Sequence, residues 1–281
     1  MLTSVFSIAL MLLPGSVGAG TAAGTDDTGI YLVTGATGST GSIIYKSLQA
    51  AGYSTRGLVT NITKARDILG CDACDASEGI YVADVTNASS LTAAMDGVSF
   101  VADAVGVSGS TTDEVAEAVE WQGVENQISV LANGAVSQGR PLSSLQYAMI
   151  SSMGTTDPDP QPFMGGEVLF WKLQAEAFTM SSGVPFTIVK PCGLSDGGAG
   201  EVELTVGHDD YLMSREAHKE YGFSTVSRGD VARVMVKALT ARRAGLRFDL
   251  CATTRADTTP TTDADLDALL DDAQWPWVAA A

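Results

Sequence analysis

Thr34-Gly35-Ala36-Thr37-Gly38-Ser39-Thr40-Gly41 spaces its glycines three apart, at 35, 38 and 41. That spacing suits a backbone wrapped on phosphate. The first glycine permits a tight turn, the second lets main chain approach a pyrophosphate, and the third brings helix against strand. A helix starting there turns its free N–H groups and partial positive charge on the same phosphates. Thr37, Ser39 and Thr40 lie between the glycines and share the cradle. Cys71-Asp72-Ala73-Cys74 is a second spacing with chemical potential, since C-x-x-C serves redox or zinc sites. Zinc would need a second ligand pair, whereas Cys192 and Cys251 stand alone and His208 and His218 are distant in sequence. The pair is therefore expected to be incidental or a small disulfide, and no metal is expected. His208-Asp209-Asp210 is read as a solvated turn, because one histidine beside two acids is a poor ligand set.

The elements that must position these residues alternate. Short apolar runs at 29–34, 55–60, 80–83, 98–105, 145–151 and 186–190 read as strands. Residues 42–51, 65–69, 114–132 and 167–180 carry apolar side chains at helical spacing. Later come a helix at 228–240, a strand at 246–250 and a helix at 262–272, whose Leu266, Leu269 and Leu270 form a docking face. Alternation of this kind implies parallel strands joined by crossovers. The expected fold is α/β, a single doubly wound parallel sheet of the NAD(P)-binding Rossmann type, with the glycine turn after its first strand.

The second strand ends without the Asp or Glu that would hold the ribose hydroxyls of NAD. NADP is therefore preferred over NAD, with Arg56, Lys64 and Arg66 as available cations and Arg56 assigned to the site. Asp84 and Val85 follow the third strand and are placed to meet the adenine. Gly106, after the fourth, is placed along the middle of the cofactor.

Four further segments carry a resemblance. They are Val119-Glu120-Trp121-Gln122-Gly123-Val124-Glu125-Asn126-Gln127, Ile150-Ser151-Ser152-Met153-Gly154, Val168-Leu169-Phe170-Trp171-Lys172-Leu173-Gln174-Ala175-Glu176, and Pro185-Phe186-Thr187-Ile188-Val189-Lys190-Pro191-Cys192-Gly193-Leu194. With the glycine turn, they make the chain similar to the atypical short-chain dehydrogenase/reductases, the NmrA-like plant-type NAD(P)-binding group, over nearly all of 29–272. The resemblance implies that Lys172 holds the nicotinamide ribose, that Ser151 and Ser152 end the substrate-facing strand, and that Pro191, Gly193 and Leu194 lie along the carboxamide. The classical members place a tyrosine four residues before the lysine as acid catalyst, and many of the plant-type group lack it; here that residue is Val168. Lys172 is then the expected proton source and Ser152 the group that polarises a substrate oxygen, with the proline-rich residues 155–162 as a loop over the nicotinamide end. The implied activity is reduction of a small carbonyl, enone or quinone-like substrate. The implied alternative is dinucleotide binding without turnover, as a redox sensor or assembly partner.

The 281 residues carry 16 Lys+Arg against 33 Asp+Glu, a net charge of -17. Such a chain is a poor partner for nucleic acid, whose binding requires cations on phosphates. Hydrophobic residues make up 45%, enough for a substantial core. Residues 5–13 form an apolar run broken by Pro14 and Gly15 and followed by Val17-Gly18-Ala19, the layout of a signal peptide. The expected organisation is a leader over 1–20, a linker over 21–28 and the dinucleotide domain over 29–281. Entry to the secretory route is expected, ending in the endoplasmic reticulum or a plastid, with the cytoplasm as the alternative. No other run reaches the roughly 20 residues a membrane span needs.

Overall fold

A computed structural model describes residues 29–107, 111–156, 167–222 and 225–275. The expected leader and linker, the proline-rich stretch from residue 157 and the tail beyond Trp275 lie outside the described residues.

The first half runs β1 (Ile30–Thr34), α1 (Gly41–Ala50), β2 (Ser54–Val59), α2 (Ile62–Leu69), β3 (Ile80–Val82), α3 (Ala88–Met95) and β4 (Val98–Asp103). It continues through α4 (Asp113–Ala116), α5 (Gly123–Ser137), β5 (Gln146–Ile150) and α6 (Val168–Ser181). The second half holds β6 (Phe186–Pro191), β7 (Gly193–Ser195), β8 (Leu204–Gly207), α7 (Arg215–Tyr221), β9 (Thr225–Ser227), α8 (Arg228–Thr240), β10 (Leu246–Ala252) and α9 (Leu266–Asp272). An eight-stranded sheet has the order β3-β2-β1-β4-β5-β6-β10-β8, parallel throughout except where β8 runs antiparallel along β10. The order reverses between β1 and β4, which opens a crevice at their carboxyl ends, the usual ligand position in such sheets.

Both faces of the sheet are covered, so its strands are apolar on both sides. Tyr31 and Val33 of β1 point into a core shared with α1, α8 and α9, while Leu32 points into the opposite core with α3, α5 and α6. The docking face expected on α9 is present: Leu266, Leu269 and Leu270 are buried, and a capping box between Thr262 and Asp265 precedes the helix. Cys71 and Cys74 form a disulfide. Glu78 accepts from the amides of Asp72 and Cys74 within that loop, at 3.1 and 2.6 Å.

The helix expected over 114–132 is interrupted. Residues Glu117–Gln122 form a π-helical turn between α4 and α5, a local widening that often marks functional positions. The elements α3, β7, β8, α7 and β9 were not anticipated. α3 is built from small residues (Ala-Ser-Ser-Leu-Thr-Ala-Ala-Met) with a weak apolar stripe, and β8 is a four-residue edge strand closed by glycine.

Candidate functional site

The glycine turn fills the crevice between β1 and β4. Gly35 has φ +67, and a Cβ there would meet the Ala104 carbonyl oxygen at 2.7 Å. A Cβ on Gly41 would overlap the Gly35 carbonyl, and the Gly38 amide donates to that same oxygen at 2.8 Å. The amides of Thr37, Ser39 and Thr40 have no backbone acceptor among the described residues. Thr40 is the N-cap of α1, with no side-chain capping hydrogen bond. Donors without partners, at a helix start and uncovered by glycine side chains, fit a dinucleotide pyrophosphate. Gly35→Ala imposes both the left-handed backbone and the clash, a cost of order 1–3 kcal/mol. Expected is a lower melting temperature together with at least about tenfold weaker dinucleotide binding, checked by thermal melts and fluorescence titration; unchanged binding would show that this turn is not the cradle.

Beneath the turn, Asp103 ties the strand ends together. It is buried and accepts from Thr34 Oγ1 at 2.8 Å, Tyr147 Oη at 2.6 Å, the Val105 amide at 3.0 Å and Gln127 Nε2 at 3.3 Å. Burial pushes its carboxyl upward against those donors. The network fixes where the chain leaves β4, and so where Ala104 to Val107 run.

Those residues lead to a close polar pair in the crevice. Lys172 Nζ donates to Glu120 Oε2 at 2.6 Å, and Glu120 Oε1 accepts from the Val107 amide at 2.7 Å. Glu120 is 3% exposed at its side chain and Lys172 12%. Gly106 lies directly on this pair: a Cβ there would stand 3.4 Å from Glu120 Oε1 and 3.9 Å from Lys172 Nζ. Glu120 comes from the π-helical turn and Lys172 from α6. Their sequence neighbours Trp121 and Trp171 stack at 5.3 Å and 9°, and Trp171 Nε1 donates to Asp113 at 2.7 Å. Val168, in the place of the usual tyrosine, is buried.

Behind the ends of β5 and β6 lies a buried ionic cluster. Glu176 is fully buried; its Oε2 accepts from Arg247 Nε and Nη2 at 2.8 and 2.7 Å, and its Oε1 from Thr155 Oγ1 at 2.9 Å and from Ser151 Oγ. Lys190 Nζ donates to Asp210 Oδ1 at 2.7 Å and Thr156 Oγ1 at 3.1 Å, and lies 3.4 Å from Asp249 Oδ1. Neither carboxylate oxygen of Asp249 has a hydrogen bond among the described residues, so Lys190 reaches it only as a charge. Burial pushes Asp249 up to about 6, with Lys190 opposing. Folded protein thus keeps a proton that the unfolded chain loses near its ordinary value of 3.8. That contribution to stability falls as pH rises between those two values. Melts of wild type and Asp249→Asn should diverge accordingly: wild type loses up to about 3 kcal/mol relative to the variant across the window. A pH-independent difference would refute the assignment.

The expected site residues distribute unevenly. Gly35, Thr37, Gly38, Ser39, Thr40, Gly41, Gly106 and Lys172 gather at the crevice. Arg56 does not: its Nη1 donates to the carbonyls of Ala94 and Asp96 at 2.9 and 2.7 Å, at the end of α3 remote from the glycine turn. Its place in mid-strand aims it at that helix end, whose carbonyls want a cation. Asp84 holds its own turn, accepting from the Thr86 amide and hydroxyl at 2.9 and 2.8 Å, and Val85 is buried against Gly123. Ser151 is turned inward, its hydroxyl taken by Glu176, whereas half-buried Ser152 donates to the Met153 carbonyl at 2.8 Å. Pro191 is buried at the end of β6, and Gly193 and Leu194 open the exposed strand β7.

The turn at 208–210 is not merely solvated. Asp210 pairs with Lys190, Asp209 with Arg247 at 3.1 Å, and His208 stacks on Trp275 at 4.2 Å. Glu120, the direct partner of Lys172, carried no role in the sequence reading. Its signal was present in the Val-Glu-Trp-Gln-Gly segment, masked by neighbouring acids.

Residues 35–242 match the NAD(P)H-binding family. A chloroplastic protein of Arabidopsis thaliana, itself uncharacterised, is 31% identical over 268 residues, covering 86% of this chain and 75% of its own. Sanguinarine reductase of Eschscholzia californica is 29% identical over 248 residues, covering 74% of this chain and 83% of its own. In fold, the chain is similar to a Bacillus halodurans protein named for a proposed NAD-dependent epimerase/dehydratase activity, with TM-score 0.65 at 22% identity, covering 86% and 99% of the two chains. Together with the glycine cradle at the switch point of the sheet, these matches show that the chain belongs to the NAD(P)H-binding oxidoreductase family, of the atypical short-chain dehydrogenase/reductase kind.

Proposed function

We propose that the chain reduces a small carbonyl, enone or quinone-like substrate, preferring NADP(H) to NAD(H). The observation that carries this reading is the Lys172–Glu120 pair at the crevice, 2.6 Å apart and covered by Gly106. Bound NADPH would supply the hydride; the chain must hold it, orient the substrate and deliver a proton. The amides of Thr37, Ser39 and Thr40 would hold the pyrophosphate. An ammonium has three donors. One of those on Lys172 goes to Glu120, which leaves others for a ribose hydroxyl and for the substrate oxygen that takes up the proton. The Ser152 hydroxyl, which donates to the Met153 carbonyl, would turn to that oxygen.

The NADP preference is supported by the end of β2, where exposed Thr60 and Asn61 stand in place of an acid and Lys64 lies exposed in the first turn of α2. Lys64 replaces Arg56 as the proposed contact for a 2′-phosphate. Val168 favours the second reading, binding without turnover. Screening the purified chain for NADPH oxidation with quinones, enones and aldehydes separates the two. Tight nucleotide binding with no oxidation that depends on Lys172 would establish the sensor reading instead. Several relatives are chloroplastic, so we infer a plastid destination. A fluorescent fusion of residues 1–40 confined to the cytosol would refute it.

A further inference from the structure

Cys192 and Cys251, far apart in sequence, are neighbours in the sheet. β6 and β10 run parallel with Pro191 opposite Leu250, and the Cys192 amide donates to the Leu250 carbonyl at 3.0 Å. The next position sets Cys192 against Cys251. Parallel neighbours in register send their side chains to the same face at a spacing of about 4.8 Å, inside the roughly 4.4–6.8 Å between Cα atoms that a disulfide spans. Cys192 packs against the small buried cluster that holds Cys251. Their environments differ: Cys251 is fully buried, with its sulfur 3.4 Å from Met153 Sδ, whereas Cys192 is partly exposed.

We propose that Cys192 and Cys251 form a redox-convertible dithiol that takes low-molecular-weight disulfides as its oxidant, Cys192 attacking and Cys251 resolving. The Cys192 thiolate attacks one sulfur of the small disulfide, forming a mixed disulfide and expelling one thiolate. Cys251, losing its proton to solvent, then attacks the Cys192 sulfur and expels the second thiolate. The protein dithiol is oxidised by two electrons, the small disulfide is reduced to two thiols, and the protons balance. The division of roles follows from access, since Cys192 is partly exposed and Cys251 fully buried. The neighbouring Cys251 holds the Cys192 thiol below its usual range, while Cys192 and burial push the Cys251 thiol up. A more acidic, accessible thiol beside a protected one is the arrangement that exchange requires. The crosslink would pin β6 to β10 where the chain leaves the sheet for Gly193 and Leu194.

The test is peptide mapping of the full chain after exposure to oxidised glutathione, with free thiols alkylated before digestion. Expected is a Cys192–Cys251 crosslinked peptide that dithiothreitol reverses, separate from the Cys71–Cys74 peptide. Cys251→Ser should stop at a glutathione adduct on Cys192, and Cys192→Ser should leave Cys251 unmodified. Wild-type protein in which Cys192 and Cys251 both remain alkylatable, or in which the Cys192 adduct persists unresolved, would overturn the proposal without recourse to either variant.

Discussion

Lys172→Met is expected to cut NADPH-dependent turnover by roughly 10²–10⁴-fold, the usual worth of a positioned proton donor. Nucleotide affinity should change far less, because the pyrophosphate cradle is made of backbone amides at 37–40. The substitution has a second effect: it strands Glu120, whose side chain is 3% exposed and would keep only the Val107 amide. Stability falls as well, since a buried carboxylate without its cation is costly. The double variant Lys172→Met/Glu120→Gln separates the effects, regaining the melting temperature while remaining inactive. Steady-state rates, nucleotide titrations and melts on the three proteins check this. Turnover of the single variant within a few-fold of wild type would remove Lys172 from the chemistry. Recovery of activity in the double variant would show that its role is structural.

The fold was legible where the chain had no choice. β1, β4, β5 and β6 are buried along almost their whole length, so their apolar runs stand out, and the glycines at 35, 38 and 41 announce the turn between strand and helix. Edge and small-residue elements gave weaker signals, as with β8 and α3. The site was legible only in part, because its main contacts join distant residues. Lys172 could be assigned by resemblance, but its partner Glu120 lies 52 residues away among other acids, in a helical turn whose widening no periodicity reveals. Arg56 failed for the converse reason. A cation on the second strand looks like a phosphate ligand until the carbonyls at the end of α3 are seen to take it. Ser151 and Cys251 likewise depended on which face of a strand each occupies, together with what lies across it.

Arg247→Met is expected to be the most damaging single change to the folded state. Arg247 binds Glu176 through two of its nitrogens and Asp209 through a third. Its loss leaves Glu176, fully buried, with only the hydroxyls of Ser151 and Thr155. Breaking a buried pair in this way costs about 3–5 kcal/mol, which lowers the melting temperature of a domain this size by roughly 10 °C. Asp209 is exposed and contributes little of that loss. Arg247→Met/Glu176→Gln should recover most of it, since the remaining amide is neutral and still meets both hydroxyls. Equal melting temperatures for single and double variants would show that the damage comes from lost packing of the guanidinium rather than from the orphaned charge.

The stacked indoles of Trp121 and Trp171 give the molecule an optical gauge of its own. Each ring is the immediate sequence neighbour of one member of the Glu120–Lys172 pair, and the two rings are close and nearly parallel. Transitions in indoles this close couple, and any skew between the two rings' in-plane transitions turns that coupling into a paired positive and negative band in circular dichroism that vanishes when the rings separate. Docking of α6 on the widened helical turn can therefore be followed without a label, in solution and during turnover, from light the protein already absorbs.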